Sequence, residues 1–306
     1  MEKALFSIKQ QQANWAKSKG IRVDDAGYTA NLGDNLFCPL SDASKRDFLE
    51  GRGDELGKDG GRPKIQALHS SAALAVNVFE HWRTRDVAAI ARACGLSERA
   101  TGMRFEATHR NALGGPPSHL DVQFTTTGKP LAIESKFTET YSRHTRRELS
   151  SGYVTRPGLW EGLPGCERLA KRLKDEEGKR TSFEYLDAPQ LLKHILGLNT
   201  SFPKRFSLLY LWYGVDSEEA ERHWREITEF ESFVEGDVDF RVMTYQDLFK
   251  RIQKMLRAGT DYVRYLRERY FTEPYDSFHD KAVAAEGKYG ALAGDIEELR
   301  RKRLQH

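Results

Sequence analysis

Cysteine is scarce in this chain of 306 residues. The three thiols, Cys38, Cys94 and Cys166, stand far apart, which leaves no Cys-X-X-Cys pair, no zinc knuckle and no disulfide framework. Free thiols in a reducing compartment are the expectation. Long hydrophobic runs are missing as well. The longest, residues 206–215, has the length of a strand and not of a membrane span, and residues 1–12 lack the apolar run of a secretory signal. A cytoplasmic protein without a membrane partner is therefore expected. Neither sign of charge dominates: 48 Lys and Arg stand against 45 Asp and Glu, a net charge of +3. A balance this mild implies no nucleic-acid partner by itself, so only local basic clusters could recruit one. The nine histidines show no metal-ligand spacing. No glycine-rich phosphate loop is present, since Gly51-Arg52-Gly53 has neither a strand before it nor a helix after it. Internal repeats and low-complexity tracts are also absent.

What is present is an ordinary globular composition at the polar end, with 39% hydrophobic and 30% charged residues. The length suits one large domain with additions, or two modest ones. Residues 2–19 read as a helix with a thin apolar face. Residues 51–63, rich in glycine and charge, read as a loop that sets an N-terminal arm apart. Ser70 or Ser71 can cap a helix running through Trp82, with Leu74, Val78 and Trp82 on one stripe. A second helix over 86–94 ends at Gly95 in a C-cap position. Residues 103–107, 119–125 and 131–137 then read as three strands, with turns at 114–117 and 128–130. The stretch 141–178 is basic, loop-rich and partly helical. It is followed by a helix over 186–198 and a uniformly apolar strand at 206–215, as suits a strand covered on both faces. Ser217 caps a helix to about Val234. A strand at 239–244, a helix at 246–256 and a charged helical remainder from 261 complete the chain. This order predicts an α/β fold with a mixed central sheet flanked by helices. The expected division is an N-terminal helical arm with its glycine-rich loop at 1–62, a core at 63–257 and a C-terminal helical extension at 258–306.

The chemistry is concentrated in the second and third predicted strands. Residues two apart on a strand share a face. Glu134 and Lys136 therefore point one way with Ala132, while Ile133, Ser135 and Phe137 point the other. On the preceding strand Leu120, Val122 and Phe124 form the apolar set, and His119, Asp121 and Gln123 the polar one. Paired as a hairpin, the two strands bring Asp121 and Glu134 together with Lys136 beside them. Two carboxylates at close range repel unless a cation lies between them. Hard oxygen ligands suit Mg²⁺, or Mn²⁺, with several waters retained. The peptide carbonyl of Ser135 could add a further ligand. The Lys136 ammonium would orient a water or stabilise charge on a phosphate.

Residues 117–121, reading Pro-Ser-His-Leu-Asp, followed by Ile133-Glu134-Ser135-Lys136, resemble the signature of the PD-(D/E)XK, restriction-endonuclease-like nucleases. The proline stands four residues before the aspartate. Within that superfamily, residues 68–82, 105–122 and 131–139 resemble a bacterial group of restriction endonucleases. The resemblance covers roughly residues 51–256. It implies an αβββαβ core and Mg²⁺-dependent hydrolysis of DNA, with Asp121 and Glu134 holding the ion and Lys136 assisting the attacking water. Gln190-X-X-X-His194 resembles the Gln-X-X-X-Tyr element of exonuclease-type relatives, with histidine in the tyrosine place. A polar stripe on a packed helix accounts for it equally well. Glu106 could serve the ion through a water, and Glu55 and Glu80 are other acids from which a third ligand could come.

For the DNA partner, the run Arg143-His144-Thr145-Arg146-Arg147 follows the catalytic strand directly. Arg143, Arg146 and Arg147 are therefore the expected phosphate contacts. Lys171-Arg172, Lys179-Arg180 and Lys204-Arg205 fit solvated faces better. A homodimer would allow both strands to be cut. The alternatives are a repair or recombination nuclease of the same fold, and a non-catalytic DNA-binding protein. The latter would draw on residues 86–97, which resemble the opening of a helix-turn-helix.

Overall fold

The computed structural model describes residues 3–51, 53–57, 61–143, 149–175, 183–256 and 259–272. In chain order the helices before the sheet are α1 (Lys3–Ser18), α2 (Asp42–Glu50), α3 (Ser71–Arg83) and α4 (Val87–Ala93). Strands β1 (Gly102–His109), β2 (Ser118–Thr125) and β3 (Leu131–Lys136) follow. Then come α5 (Gly152–Thr155), α6 (Pro164–Asp175), α7 (Ala188–Ser201), β4 (Ser207–Trp212), α8 (Glu218–Val234), β5 (Asp239–Thr244), α9 (Tyr245–Met255) and α10 (Asp261–Arg269). The five strands form one sheet in the order β1-β2-β3-β4-β5. The first three are antiparallel neighbours, while β3, β4 and β5 run parallel. The sheet is mixed and the class is α/β, as the sequence predicts.

The capping chemistry works as expected at most ends. Ser70 accepts from Ala73 N at the start of α3, Asp86 from Ala89 N at α4, and Ser217 from Ala220 N at α8. Gly95 closes α4 with a φ of +88°, the left-handed conformation that glycine adopts at low cost. After that turn the chain enters β1 and not a second helix, so residues 86–97 form no helix-turn-helix.

Helices cover both faces of the sheet. Phe79 of α3 packs edge-on against Phe124, and Tyr245 of α9 shares a hydrogen bond with Ser135 Oγ at 2.6 Å. On the other face, His223 of α8 meets Tyr210, and α7 lies against β1 and β2. Every residue of β4 is buried, as its apolar run predicts. Edge strand β1 is closed by α2: Asp47 Oδ2 accepts from Phe105 N at 3.0 Å, and the Arg83 guanidinium holds the same oxygen at 2.6 Å.

The two ends of the described chain meet. Arg269 of α10 is fully buried, and its guanidinium finds only neutral acceptors among the described residues. These are Gln12 Oε1 at 3.0 Å, Asn35 O at 2.8 Å, Asn35 Oδ1 at 2.5 Å, Tyr265 Oη at 2.6 Å and Leu68 O at 3.4 Å. Its cation also lies 4.2 Å from the ring centre of Trp15 and 4.7 Å from that of Tyr270. Replacing it with methionine keeps bulk but leaves Gln12 and Asn35 without their donor. Arg269→Met should therefore lower stability by about 2–4 kcal/mol. A urea titration checks this, and an unchanged midpoint would refute a stabilising role for the buried cation.

Candidate active site

Strands β2 and β3 separate early. Their register couples Phe124 to Leu131, Gln123 to Ala132 and Val122 to Ile133, and the ladder stops there. Meanwhile β2 stays paired with β1 down to Ser118, and β3 with β4 up to Lys136. The carbonyls of Pro130 and Lys136 accept from Ser207 N and Tyr213 N, both at 2.9 Å. By alternation the odd-numbered peptide groups of β3, Ser135 included, face β2. In the opening beyond Val122, the Asp121 side chain replaces the missing strand partner: its Oδ2 accepts from Ser135 N at 2.6 Å. The Ser135 carbonyl faces the same opening.

Glu134, next along β3, is buried with 2% exposure. Lys136 Nζ donates to its Oε1 at 2.6 Å and to Gln190 Oε1 at 3.0 Å. His194, one turn further along α7 and equally buried, brings Nε2 to 3.1 Å from Glu134 Oε2. That contact has ion-pair distance but not hydrogen-bond alignment, and Glu134 Oε2 has no hydrogen-bond partner. The structure thus brings Asp121, Glu134, Lys136 and Gln190 together on one side of the sheet, next to the Ser135 peptide groups, and adds His194. The sequence marked His194 only as a departure from a motif. Its position four residues after Gln190, on the same helical face, was the available signal.

Glu106 stands opposite Asp121 in the β1–β2 register, between the couples Phe105–Val122 and Ala107–Leu120. Its φ is +48°, a left-handed conformation uncommon for a residue other than glycine, and it breaks the ladder at that point. Gly51 and Gly53 lie against its side chain. A Cβ on Gly51 would come within 2.8 Å of Glu106 Cβ, so only glycine fits there. Glu55, beyond that loop, adds charge next to Glu106. Just after β3, Glu139 Oε2 accepts from Phe137 N and Thr138 N, both at 2.9 Å. Glu80, by contrast, is committed to the start of α2, accepting from Ser41 N at 2.7 Å and Ser44 Oγ at 2.5 Å.

The electrostatics follow from crowding acids into a buried corner. Burial raises the pKa of Asp121 well above the ordinary carboxylate value, and Glu134 pushes it further up. Glu134 goes the other way: burial alone would raise it, but Lys136 and His194 hold it at about 2. Without a cation, the surroundings favour ionisation of Glu134 and disfavour that of Asp121. Burial would lower Lys136, yet Glu134, Glu139 and Asp121 keep its pKa above the usual lysine value, so it stays an ammonium. Glu106 is raised to about 7 by burial and by the charges of Glu55 and Glu134.

The basic run is only partly within the described residues. Arg143 Nε donates to Tyr185 Oη at 3.1 Å and lies 3.7 Å from Glu184 Oε2, while Arg146 and Arg147 lie outside the described residues. Lys171 pairs with Glu167 at 2.8 Å and Arg172 with Glu229 at 2.7 Å, as solvated faces do.

The Glu106 shift sets a pH dependence. The folded pKa of about 7 lies above the ordinary glutamate value of 4.5, so the folded state binds the extra proton between those limits, and stability falls as pH rises through them. In chelator, Glu106→Gln should be more stable than the parent above pH 7, by on the order of 2–3 kcal/mol, with the gap closing towards pH 4.5. Urea midpoints at the two ends of that window test it. A gap of equal size at both would contradict the assignment.

Comparison with known proteins adds one match. The family model described as "Restriction Endonuclease associating with ARP" matches residues 4–271, which takes in every described helix and strand except the first residue of α1. No curated protein and no solved structure matches. With its mixed sheet and the acids and lysine gathered at the end of β3, the chain belongs to this restriction endonuclease family.

Proposed function

We propose that the chain is a metal-dependent deoxyribonuclease of the PD-(D/E)XK kind, hydrolysing DNA phosphodiester bonds as a restriction-type endonuclease. The observation that carries this reading is the convergence of Asp121, Glu134 and Lys136 where β2 leaves β3. Family membership supports nuclease chemistry with DNA as the substrate class.

The donor set fits a hard divalent cation. Burial and Glu134 disfavour a second negative charge on Asp121, and among the described residues Glu134 Oε2 lacks a hydrogen-bond partner. Among the described residues no group of three or more His, Cys, Asp or Glu is arranged to hold a metal. The protein's share would be two carboxylates and the Ser135 carbonyl. That suits Mg²⁺ or Mn²⁺, which keep waters and take phosphate oxygens. Bound there, such an ion would polarise the phosphodiester and lower the pKa of a water.

The chain's own groups supply the rest. Lys136 is a fixed ammonium, so it acts as a hydrogen-bond donor and a positive charge, not as a base. Aimed at the phosphate, it stabilises charge that grows in the transition state and orients the attacking water. Gln190 holds that ammonium by its Oε1. Glu106, at about 7, can take up or release a proton near neutral pH, where acid–base catalysis is most effective. Arg143, with Arg146 and Arg147, would neutralise backbone phosphates beside the site.

Purified protein should cut plasmid DNA into discrete fragments with Mg²⁺ and leave it intact in chelator. Asp121→Ala and Lys136→Ala should each reduce the rate by at least about 10²–10³-fold with the fold unchanged by circular dichroism. If both variants cut as fast as the parent, these residues are not the site.

A further inference from the structure

We infer that His194 is a positioning residue: together with Gln190 it forms a helix-borne clamp that holds the Glu134 carboxylate in orientation for a divalent cation. The inference rests on the ion-binding reading above and deepens it. It starts from a geometric match between two elements. Glu134 and Lys136 are two residues apart on β3, an axial step of about 6.6 Å. Gln190 and His194 are four apart on α7, an axial step of about 6 Å. The near-equal steps let the two pairs face each other one to one, Gln190 on Lys136 and His194 on Glu134. With the Lys136–Glu134 ion pair, and the α7 backbone between Gln190 and His194, these contacts close a ring.

The position of α7 is fixed independently of this ring. Asp187 caps the helix by accepting from Gln190 N at 2.9 Å. Ser118 Oγ donates to Lys193 O at 2.9 Å. Gly197 allows close approach to β1, since a Cβ there would lie 3.0 Å from both His109 Cβ and His109 O. The helix is thus seated on β1 and β2 by groups on either side of Gln190 and His194.

A purely structural role explains His194 poorly. It is 3% exposed, and among the described residues neither ring nitrogen has an aligned hydrogen-bond partner. Nδ1 thus loses its hydration without a partner, a cost that a role in packing alone would not offset. Among the described residues the carboxylate within ion-pair distance of His194 is that of Glu134, whose Oε2 lacks a hydrogen-bond partner there. Lys136 occupies Glu134 Oε1. When the ammonium turns towards a phosphate, His194 is what remains to fix the carboxylate.

The test uses the full chain and Mn²⁺ alone, without DNA. Calorimetric titration gives the cation affinity of the parent, His194→Met, His194→Gln and Asp121→Asn, and thermal melts in chelator give their stabilities. His194→Met should bind Mn²⁺ about 10-fold or more weakly, and His194→Gln, which keeps a donor at similar reach, within about threefold of the parent. The melts separate lost stability, which removal of the His194–Glu134 contact also gives, from lost cation affinity. Parent-like affinity in His194→Met with binding lost in Asp121→Asn would overturn the clamp and leave the ion site standing. So would equal weakening in both His194 variants. A parent that binds no Mn²⁺, or Asp121→Asn that binds as the parent does, would overturn the ion site and the clamp together.

Discussion

The hydrogen bond between the Asp121 carboxylate and the Ser135 amide is the constraint on which the site depends. A sheet that opens between two central strands exposes amides and carbonyls that would otherwise pair, and buried peptide groups without partners are costly. Here the opening is stabilised by a side chain acting as a strand. The carboxylate satisfies one amide, keeps β2 and β3 apart beyond Val122, and leaves the neighbouring carbonyl facing the gap. The same residue therefore creates the space and provides an anionic oxygen within it. An apolar residue at 121 could do neither: the strands would zip further, or Ser135 N would be left without an acceptor.

The opening gathers like charges, and the protein tolerates this by distributing them unequally. Glu134 keeps its charge because Lys136 and His194 stand at its two oxygens. For Asp121 and Glu106, burial and the neighbouring acids disfavour ionisation. A site in this state has surplus acceptor capacity and too little positive charge. Its electrostatic strain would be relieved by a divalent cation more than by any single protein donor, since one ion can be shared by both carboxylates. Lys136 compensates in part, and its engagement with Glu134 is the contact that must loosen when it serves another group.

Much of this fold is legible in the sequence, for identifiable reasons. The uniform apolarity of residues 206–215 predicts a strand covered on both faces, and β4 is such a strand. Ser70 and Ser217 announce helix starts through side-chain acceptors that act within four residues. The alternation on residues 119–125 and 131–137 places Asp121, Glu134 and Lys136 on one face. Local chemistry encodes each of these. The illegible parts depend on distant partners. Helix α2 shows almost no apolar stripe, and it is held by Asp47 on Phe105 N and by Glu80 on Ser41 and Ser44. Nothing near Glu106 in sequence announces its left-handed backbone. The roles of Gln190 and His194 require knowing that α7 lies over β1 and β2 with these two side chains reaching β3. Glu80 looked like a ligand candidate for the same reason: its commitment to α2 is invisible along the chain.

The N-terminal segment is mechanically part of the site. Asp47 fixes Phe105 N at the edge of β1, one residue before Glu106. Three residues after Asp47, α2 ends and Gly51 passes so close to Glu106 that no Cβ could stand there. On the other strand, Asp121 occupies the position opposite. A strained backbone persists only where its surroundings over-determine it, and Glu106 is constrained from three directions: the edge bond, the glycine loop and the β2 register. Removing any of the three would let β1 relax into an ordinary ladder and carry the Glu106 carboxyl away from Glu134. The glycine-rich loop, which fits no nucleotide-binding pattern, is accounted for by this steric demand.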